Sequence, residues 1–213
     1  VLGPAGGTTL ATYGVAPFRT WDLTVLDDNG ERLALLDAAE SVIDELIYDD
    51  SPPWPVTPDG LGPSLEVIDP AQDNADPRNW RASTAPAGHS AGLPNSVAAV
   101  GLPPWVVSVS APPGLLPNDP IFLTATIDDA TSVQLFYVVG ADFPPSETAV
   151  TMLDDGLSND GAAGDGVWGV PTGQEIPGQP AGTLLRWRLA LNGPTGTGQF
   201  PIVDDTVTYD GTI

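Results

Sequence analysis

The apolar residues of this 213-residue chain fall in short runs, and turn-forming residues separate the runs almost everywhere. Short runs of this kind are typical of an all-β protein, because strands need only about five residues. The second half of the chain contains seven of them. They lie at 106–109, 121–127, 133–139, 149–153, 167–170, 184–191 and 206–209. Seven short strands with turns between them predict an immunoglobulin-like β-sandwich over residues 105–213.

The first half contains fewer apolar runs, and one of them fits two structures. The pair Asn29-Gly30 lies between the apolar runs at 22–26 and 31–36, which is a strong hairpin signal. Apolar residues within 31–48 also recur near the helical period, so periodicity supports a helix as well as a hairpin there. The hairpin would place strands at 31–36 and 42–48 around a turn at 37–41. We expect a loop at 52–63, a strand at 64–68 and an irregular tail at 69–94.

The charge balance excludes several classes of function. The chain has 28 acidic residues, six arginines and no lysine, so its net charge is −22, and it has no cysteine. Nucleic acids and anionic membranes are therefore poor partners, since both require basic patches. Disulfides and cysteine-bound metals are excluded. The residues from Val1 onward show no basic and apolar leader, so we expect a signal peptide to be absent or removed.

Acidic residues concentrate in a glycine-rich loop between two predicted strands. The candidate metal ligands are Asp154, Asp155, Asn159, Asp160 and Asp165. Hard oxygen ligands on a tightly turning backbone are typical of calcium sites, although the spacing is not that of an EF-hand. The alternative is a hairpin in which the Asp-Gly pairs only form turns. A second acidic loop has the same two interpretations. It contains Asp69, Asp73, Asn74 and Asp76.

The sequence patterns that could indicate catalysis are weaker than the acidic loops are as candidate metal sites. Residues 88–92 match G-x-S-x-G, but the flanking sequence predicts neither the strand nor the helix that a nucleophile elbow needs. His89, the only histidine, is badly placed to act as a base for the adjacent Ser90. One histidine and no cysteine also argue against zinc. Paired carboxylates could indicate a glycosidase, but small sandwiches offer no deep cleft. We therefore predict that the chain is not an enzyme and has no catalytic residues.

The tryptophans have two interpretations. Trp54, flanked by prolines, and Trp80 could stack on sugars or partner proteins, or could pack within the fold. Trp21, Trp168 and Trp187 lie in strand contexts, where packing in the core is the safer interpretation.

Several segments occur in a fixed order between Asn29 and Asn95. They are NGERLALLD (29–37), VIDELIYDD (42–50), PWP (53–55), SLEVIDP (64–70), DNADPRNW (73–80) and GLPN (92–95). This series resembles the second half of a bacterial lamin-tail domain, a small immunoglobulin-like β-sandwich, and the resemblance implies the hairpin at 31–48 and not the helix. The strands that carry the family's opening motifs are missing. The resemblance therefore implies a lamin-tail-like β-sandwich at 1–97 that is truncated at its N-terminus, followed by a linker at 98–104.

The second half carries its own series. The segments are VQLFY (133–137), MLDDG (152–156), DGAAGDGVW (160–168) and PAGTLLRW (180–187). They are similar to the immunoglobulin-like segment that precedes the kinase-like domain in CotH-type spore-coat proteins. None of the catalytic motifs of that kinase-like domain is present, so the resemblance implies no activity for this chain.

These observations predict an all-β chain of two immunoglobulin-like β-sandwich domains in tandem, the first lacking its N-terminal strands. We expect a non-enzymatic, extracellular or cell-surface module of a larger secreted bacterial protein. Its role would be structural, adhesive or in assembly, as in a filament or surface layer, with calcium stabilising the second domain. The alternatives are a carbohydrate-binding module or an accessory region of a CotH-like kinase protein. Because an incomplete sandwich has an open edge, we expect another polypeptide or a neighbouring copy to supply the missing strands by β-augmentation.

Overall fold

The computed structural model describes residues 2–4, 7–21, 26–111, 114, 116–140, 147–201 and 211–212. Within these ranges the regular structure is nearly all β, with one α-helix of six residues and one short 3-10 helix. The all-β class is therefore confirmed. The described residues divide into two compact units, the first ending at Leu102 and the second beginning at Pro103. In this part of the chain no helix has the length and apolar character needed to cross a membrane.

The first unit contains three separate two-stranded sheets. Their elements are β1 (Leu2–Pro4), α1 (Thr8–Tyr13), β2 (Arg19–Trp21), β3 (Arg32–Leu36), β4 (Val42–Ile47), β5 (Leu65–Val67), the 3-10 helix Pro77–Asn79 and β6 (Trp80–Ala82). Strands β1 and β2 pair in parallel, whereas β3 with β4 and β5 with β6 pair antiparallel. The expected irregular tail at 69–94 is wrong over the 3-10 helix and β6, because three-residue elements are too short to show a periodic pattern. The elements β1, α1 and β2 were also not predicted, because each has only three to six residues.

The segment at 31–48 forms the hairpin and not the helix. Arg32 pairs with Ile47 and Leu33 with Leu46, and the register shifts between Leu35 and Leu36. In the turn, the carboxylate of Asp37 accepts hydrogen bonds from the backbone N–H groups of residues 39 and 41, at 2.8 and 2.9 Å. An aspartate that bonds its own downstream backbone favours a turn over a continuing helix. The expected strand residues 22–25, which precede this hairpin, lie outside the described residues.

The second unit contains two antiparallel sheets. Its strands are β7 (Trp105–Ser110), β8 (Thr124–Asp128), β9 (Ser132–Val139), β10 (Thr148–Met152), β11 (Val167–Gly169), β12 (Leu185–Gly193), β13 (Gly196–Phe200) and β14 (Gly211–Thr212). One sheet has the order β11-β8-β7, and the other has the order β10-β9-β12-β13, with β14 also paired to β12. Six of the seven predicted strands have a counterpart here. The seventh, at 206–209, lies outside the described residues.

One hydrophobic core fills the second unit and draws on both sheets. It includes Ala125 and Ile127 of β8 and the fully buried Leu135 and Leu189 of β9 and β12. In β12, buried and half-buried residues alternate along the strand, which is the period expected of a strand with one face in a core. Because side chains of both sheets share this core, the unit is sandwich-like.

The core-packing prediction is confirmed for two tryptophans of the second unit, whereas the side chain of Trp21 lies outside what the structure describes. Trp187 is a buried member of this core, and Trp168 packs against it.

Candidate functional site

The acidic loop between β10 and β11 is closed by Asp154. Its Oδ1 accepts hydrogen bonds from the backbone N–H groups of Gly164 at 2.7 Å and Asp165 at 3.2 Å. Its Oδ2 accepts from the N–H of Gly166 at 3.0 Å. These partners lie ten to twelve residues further along the chain, so a single carboxylate holds the two ends of the loop together.

Asp160 organises the interior of the same loop. Its side chain is fully buried, and its carboxylate accepts from the N–H groups of Asp155 at 2.6 Å, Gly156 at 2.9 Å and Ser158 at 3.0 Å. Burial alone would raise the pKa of Asp160, but the backbone hydrogen bonds outweigh it and lower the pKa below its ordinary value. The carboxylate is therefore held ionised and acts as an internal anchor for three backbone donors.

The two remaining aspartates form local turns. Asp155 accepts from the N–H groups of residues 157 and 158, and Asp165 accepts from those of residues 162 and 167. Asn159 has a positive φ of 56°, which places it in the tight bend beside Asp160.

All five predicted ligands thus lie in one loop, but their carboxylates are directed at backbone N–H groups. Among the described residues, no group of three or more His, Cys, Asp or Glu side chains is gathered for a metal ion. These residues match the turn-forming interpretation, and calcium binding stays a prediction.

The second acidic loop shows the same use of carboxylates. Asp69 accepts from the N–H groups of Gly101 at 2.7 Å and Ala71 at 2.9 Å. The side chain of Asn79, which is fully buried, donates to the carbonyl of Asp69 and accepts from its N–H. Asp76 accepts from the backbone and side chain of Arg78. These bonds hold the 69–79 loop in place.

A buried carboxylate that the sequence did not single out lies at the centre of the first unit. Glu66 of β5 is 4% exposed, and its Oε2 accepts from the backbone N–H of Ser96 at 2.7 Å and from the Ser96 hydroxyl at 2.8 Å. Burial alone would raise its pKa, but hydrogen bonds from the hydroxyls of Ser90, Ser96 and Ser83 and from the Ser96 N–H lower the pKa of Glu66 to about 2. We refer to Glu66, Ser83, Ser90 and Ser96 as the Glu66–serine cluster.

The G-x-S-x-G segment belongs to this cluster and does not form a nucleophile elbow. Ser90 is buried, lies among turns with no strand directly before it and no helix directly after it, and its hydroxyl lies 3.4 Å from Oδ1 of Asn95. The Nδ1 atom of His89 accepts from the N–H of Ala91, and the His89 ring lies edge-on against Tyr13 at 4.8 Å. Both side chains have structural contacts in the described part of the chain.

The prolyl-flanked Trp54 is buried and packs against Trp80, with ring centroids 5.9 Å apart. Trp80 is half-buried, and its indole N–H donates to the carbonyl of Asn74 at 2.8 Å. Trp54 is therefore not presented for stacking on a sugar, and carbohydrate binding stays a prediction.

Few apolar residues of the first unit are buried in the part of the chain that the structure describes. Only Trp54 and Ile68 among its described apolar residues are buried, whereas the other buried apolar residues all belong to the second unit. On the β3–β4 hairpin, five apolar side chains are about half exposed or more. They are Leu35, Leu36, Val42, Ile43 and Ile47.

An open groove of about 410 Å³ lies beside this hairpin within the first unit. Its floor includes Leu33 and Leu46 of the hairpin, which are paired across the two strands, together with Trp80. Asn74 links the 69–79 loop to the hairpin, because its side chain donates to Asp44 of β4 at 2.8 Å.

No family model, curated protein or solved structure matches the chain. The lamin-tail and CotH-type resemblances therefore stay predictions, and the arguments about function rest on the geometry above.

Proposed function

We propose that the chain is a non-enzymatic structural module that takes part in extracellular or cell-surface assembly. The observation that supports it is the contrast within the first unit, where the hairpin exposes apolar side chains and few apolar residues are buried. Exposed apolar side chains grouped on one small element often mark a site of protein–protein interaction. A two-stranded sheet also has edges at which a further strand can add.

The charged groups support the same proposal. The carboxylates of Glu66, Asp154 and Asp160 accept several hydrogen bonds each from the protein's own backbone and serine hydroxyls. They stabilise loops, which is a structural role. Carboxylates that keep loops ordered suit a structural or spacing module, which needs ordered loops more than it needs a reactive group.

For the second unit we propose the immunoglobulin-like identity. Counting its strands from β7, one sheet combines the first, second and fifth strands, and the other combines the fourth, third, sixth and seventh, with the eighth, β14, also paired to the sixth. Two antiparallel sheets around one core are the architecture shared by immunoglobulin-like domains, and apart from the two-residue β14 the strands divide into three and four as in a seven-stranded member. The finer identity of the first unit as a truncated lamin-tail sandwich is likewise a proposal, supported by its thin core.

Cross-linking tests the assembly role. A photo-crosslinking amino acid would replace Ile43, which is 62% exposed on the hairpin, in cells that make the full protein. The matched control position is Leu93, which is 73% exposed in the same unit but lies outside the hairpin and is not among the residues that line the groove. We expect a defined protein adduct from position 43 and none from position 93.

Failure of both positions to form an adduct, or equal adducts from both, would contradict the proposal. The variant Ile47→Thr, which removes exposed apolar surface while keeping a β-branched side chain, should weaken the adduct without changing the unfolding midpoint of the isolated chain.

A further inference from the structure

The groove beside the hairpin combines an apolar floor with an acidic rim. Its apolar lining comes from Leu33, Leu46, Leu65, Trp80 and prolines. Its acidic lining consists of Asp27, Asp28, Asp49, Asp50 and Asp59, and no basic residue is among the lining residues that the structure describes. An apolar occupant would be desolvated by the floor, and a positive charge on it would be attracted by the rim.

The rim carries fixed negative charge. Hydrogen bonds from the hydroxyl and backbone N–H of Ser51 lower the pKa of the Asp49 carboxyl. Beside it, burial and then the charges of Glu31, Asp27 and Asp28 raise the pKa of the Tyr48 hydroxyl. The Tyr48 hydroxyl donates to the carbonyl of Asp27 at 2.7 Å, which fixes this residue beside the rim. The groove is therefore a region of negative potential at neutral pH.

We propose that this groove binds an extended segment of a different polypeptide, one that carries Lys or Arg side chains next to large apolar side chains. The inference deepens the proposed function, on which it rests, because it states the chemistry of the assembly partner. A volume of about 410 Å³ lies within the range of roughly 300–1,000 Å³ that is typical of specific binding clefts.

A second copy of this chain is a poor occupant. Each copy carries a net charge of −22 and no lysine, so two copies repel each other. Three of the six arginines, Arg32, Arg78 and Arg188, are already in ion pairs within the fold. Charge complementarity therefore favours a basic partner over self-association.

The test uses two synthetic peptides of equal charge and the intact chain. One peptide is acetyl-Lys-Leu-Lys-Leu-Lys-amide, and in the other serine replaces both leucines. Binding is followed by calorimetry and by the NMR resonance of the Trp80 indole N–H, which reports on the groove. We expect saturable binding of the leucine peptide, a shift of the Trp80 resonance and binding of the serine peptide at least about tenfold weaker, because two buried leucines each contribute more than 1 kcal/mol.

Two double variants with the same net charge test whether the peptide is attracted by the rim charges or by the net charge of the whole chain. Asp28→Asn with Asp59→Asn removes two exposed rim charges, whereas Glu40→Gln with Asp129→Asn removes two exposed charges elsewhere. The rim variant should weaken binding of the leucine peptide about fivefold at low salt, and the control variant should not. Both variants change only exposed side chains, and circular dichroism checks their folding.

Three results would overturn the inference. They are equal affinity in the two variants, equal affinity for the two peptides, and concentration-dependent dimerisation of the chain that the leucine peptide does not reverse. If the peptides fail to bind while position 43 still forms its cross-link, the groove is not the binding site for the partner, but the proposed role in assembly is retained. If the peptides bind as expected and position 43 gives no adduct, the hairpin face is not the assembly surface.

Discussion

Replacing Glu66 by glutamine tests how the first unit is stabilised. The carboxylate is 4% exposed, and its hydrogen bonds in the Glu66–serine cluster hold its pKa at about 2, whereas an ordinary glutamate titrates near 4.5. That difference corresponds to about 3 kcal/mol, at about 1.4 kcal/mol for each tenfold change in the ionisation constant. Since the folded-state pKa is the lower one, this contribution is present above pH 4.5 and is lost as the pH falls toward 2.

Glu66→Gln removes the charge but keeps the size of the side chain. We therefore expect the variant to be less stable than the wild type by about 3 kcal/mol at pH 7, with the difference closing as the pH falls toward 2. The measurement is urea unfolding of the intact chain between pH 7 and pH 2, with the indole N–H of Trp80 as the probe of the first unit. Glu40→Gln, at an exposed position in the same unit, is the control.

The pH dependence separates this mechanism from simple loss of packing. Other carboxylates titrate in the same range, but they do so equally in both proteins, so the difference between the two curves isolates Glu66. Parallel curves with a constant offset would show that the charge of Glu66 has no part in the stability. A variant as stable as the wild type at pH 7 would refute the role of the cluster altogether.

Three further predictions concern the second unit. Asp160→Asn should lower the stability of this unit by about 2 kcal/mol in calorimetry, because a buried carboxylate that accepts hydrogen bonds from three backbone N–H groups becomes a neutral amide. The control Asp129→Asn, in an exposed loop, should change the stability by less than about 0.5 kcal/mol. Gly169→Ala should cost more than about 2 kcal/mol, since an added Cβ would overlap the carbonyl oxygen of Ser158; an unchanged melting temperature would contradict the packing described. If the acidic loop is complete without metal, as its hydrogen bonds indicate, melting in millimolar calcium and in EDTA should agree within about 1 °C, and a calcium-dependent rise that Asp154→Asn abolishes would establish the calcium site instead.

The strands of the second unit could be predicted because their apolar residues alternate and turn residues bound them. Strand β13 was missed because Gly196 and Gly198 leave it little apolar character. At 31–48 the periodicity fitted two structures, and the side-chain bonds of Asp37 in the turn explain why the hairpin forms. A turn of this kind depends on one local hydrogen-bonding residue, which periodicity does not detect.

The candidate sites were predictable only in part. The sequence located the acidic loop, but nothing in the spacing of Asp154 and Asp160 indicated that their carboxylates would bond backbone N–H groups. Glu66 was missed because it alternates with Leu65 and Val67, so strand periodicity alone would place it in solvent. The structure has the opposite phase, with Glu66 buried and its two apolar neighbours half-buried. Burial of Glu66 is favourable only because the fold brings distant serines to its carboxylate, and these serines donate hydrogen bonds to it.

The thin core of the first unit also has a calorimetric consequence. Exposure of apolar surface raises the heat capacity of a protein on unfolding, whereas exposure of polar surface lowers it. A unit held by Glu66, Asp69 and Asn79 should therefore unfold with a small heat-capacity change, and its free energy should vary little between cold and warm conditions. The second unit, with its large apolar core, should show the usual curved dependence on temperature. One chain would thus combine a part whose stability responds mainly to acid with a part whose stability responds mainly to temperature.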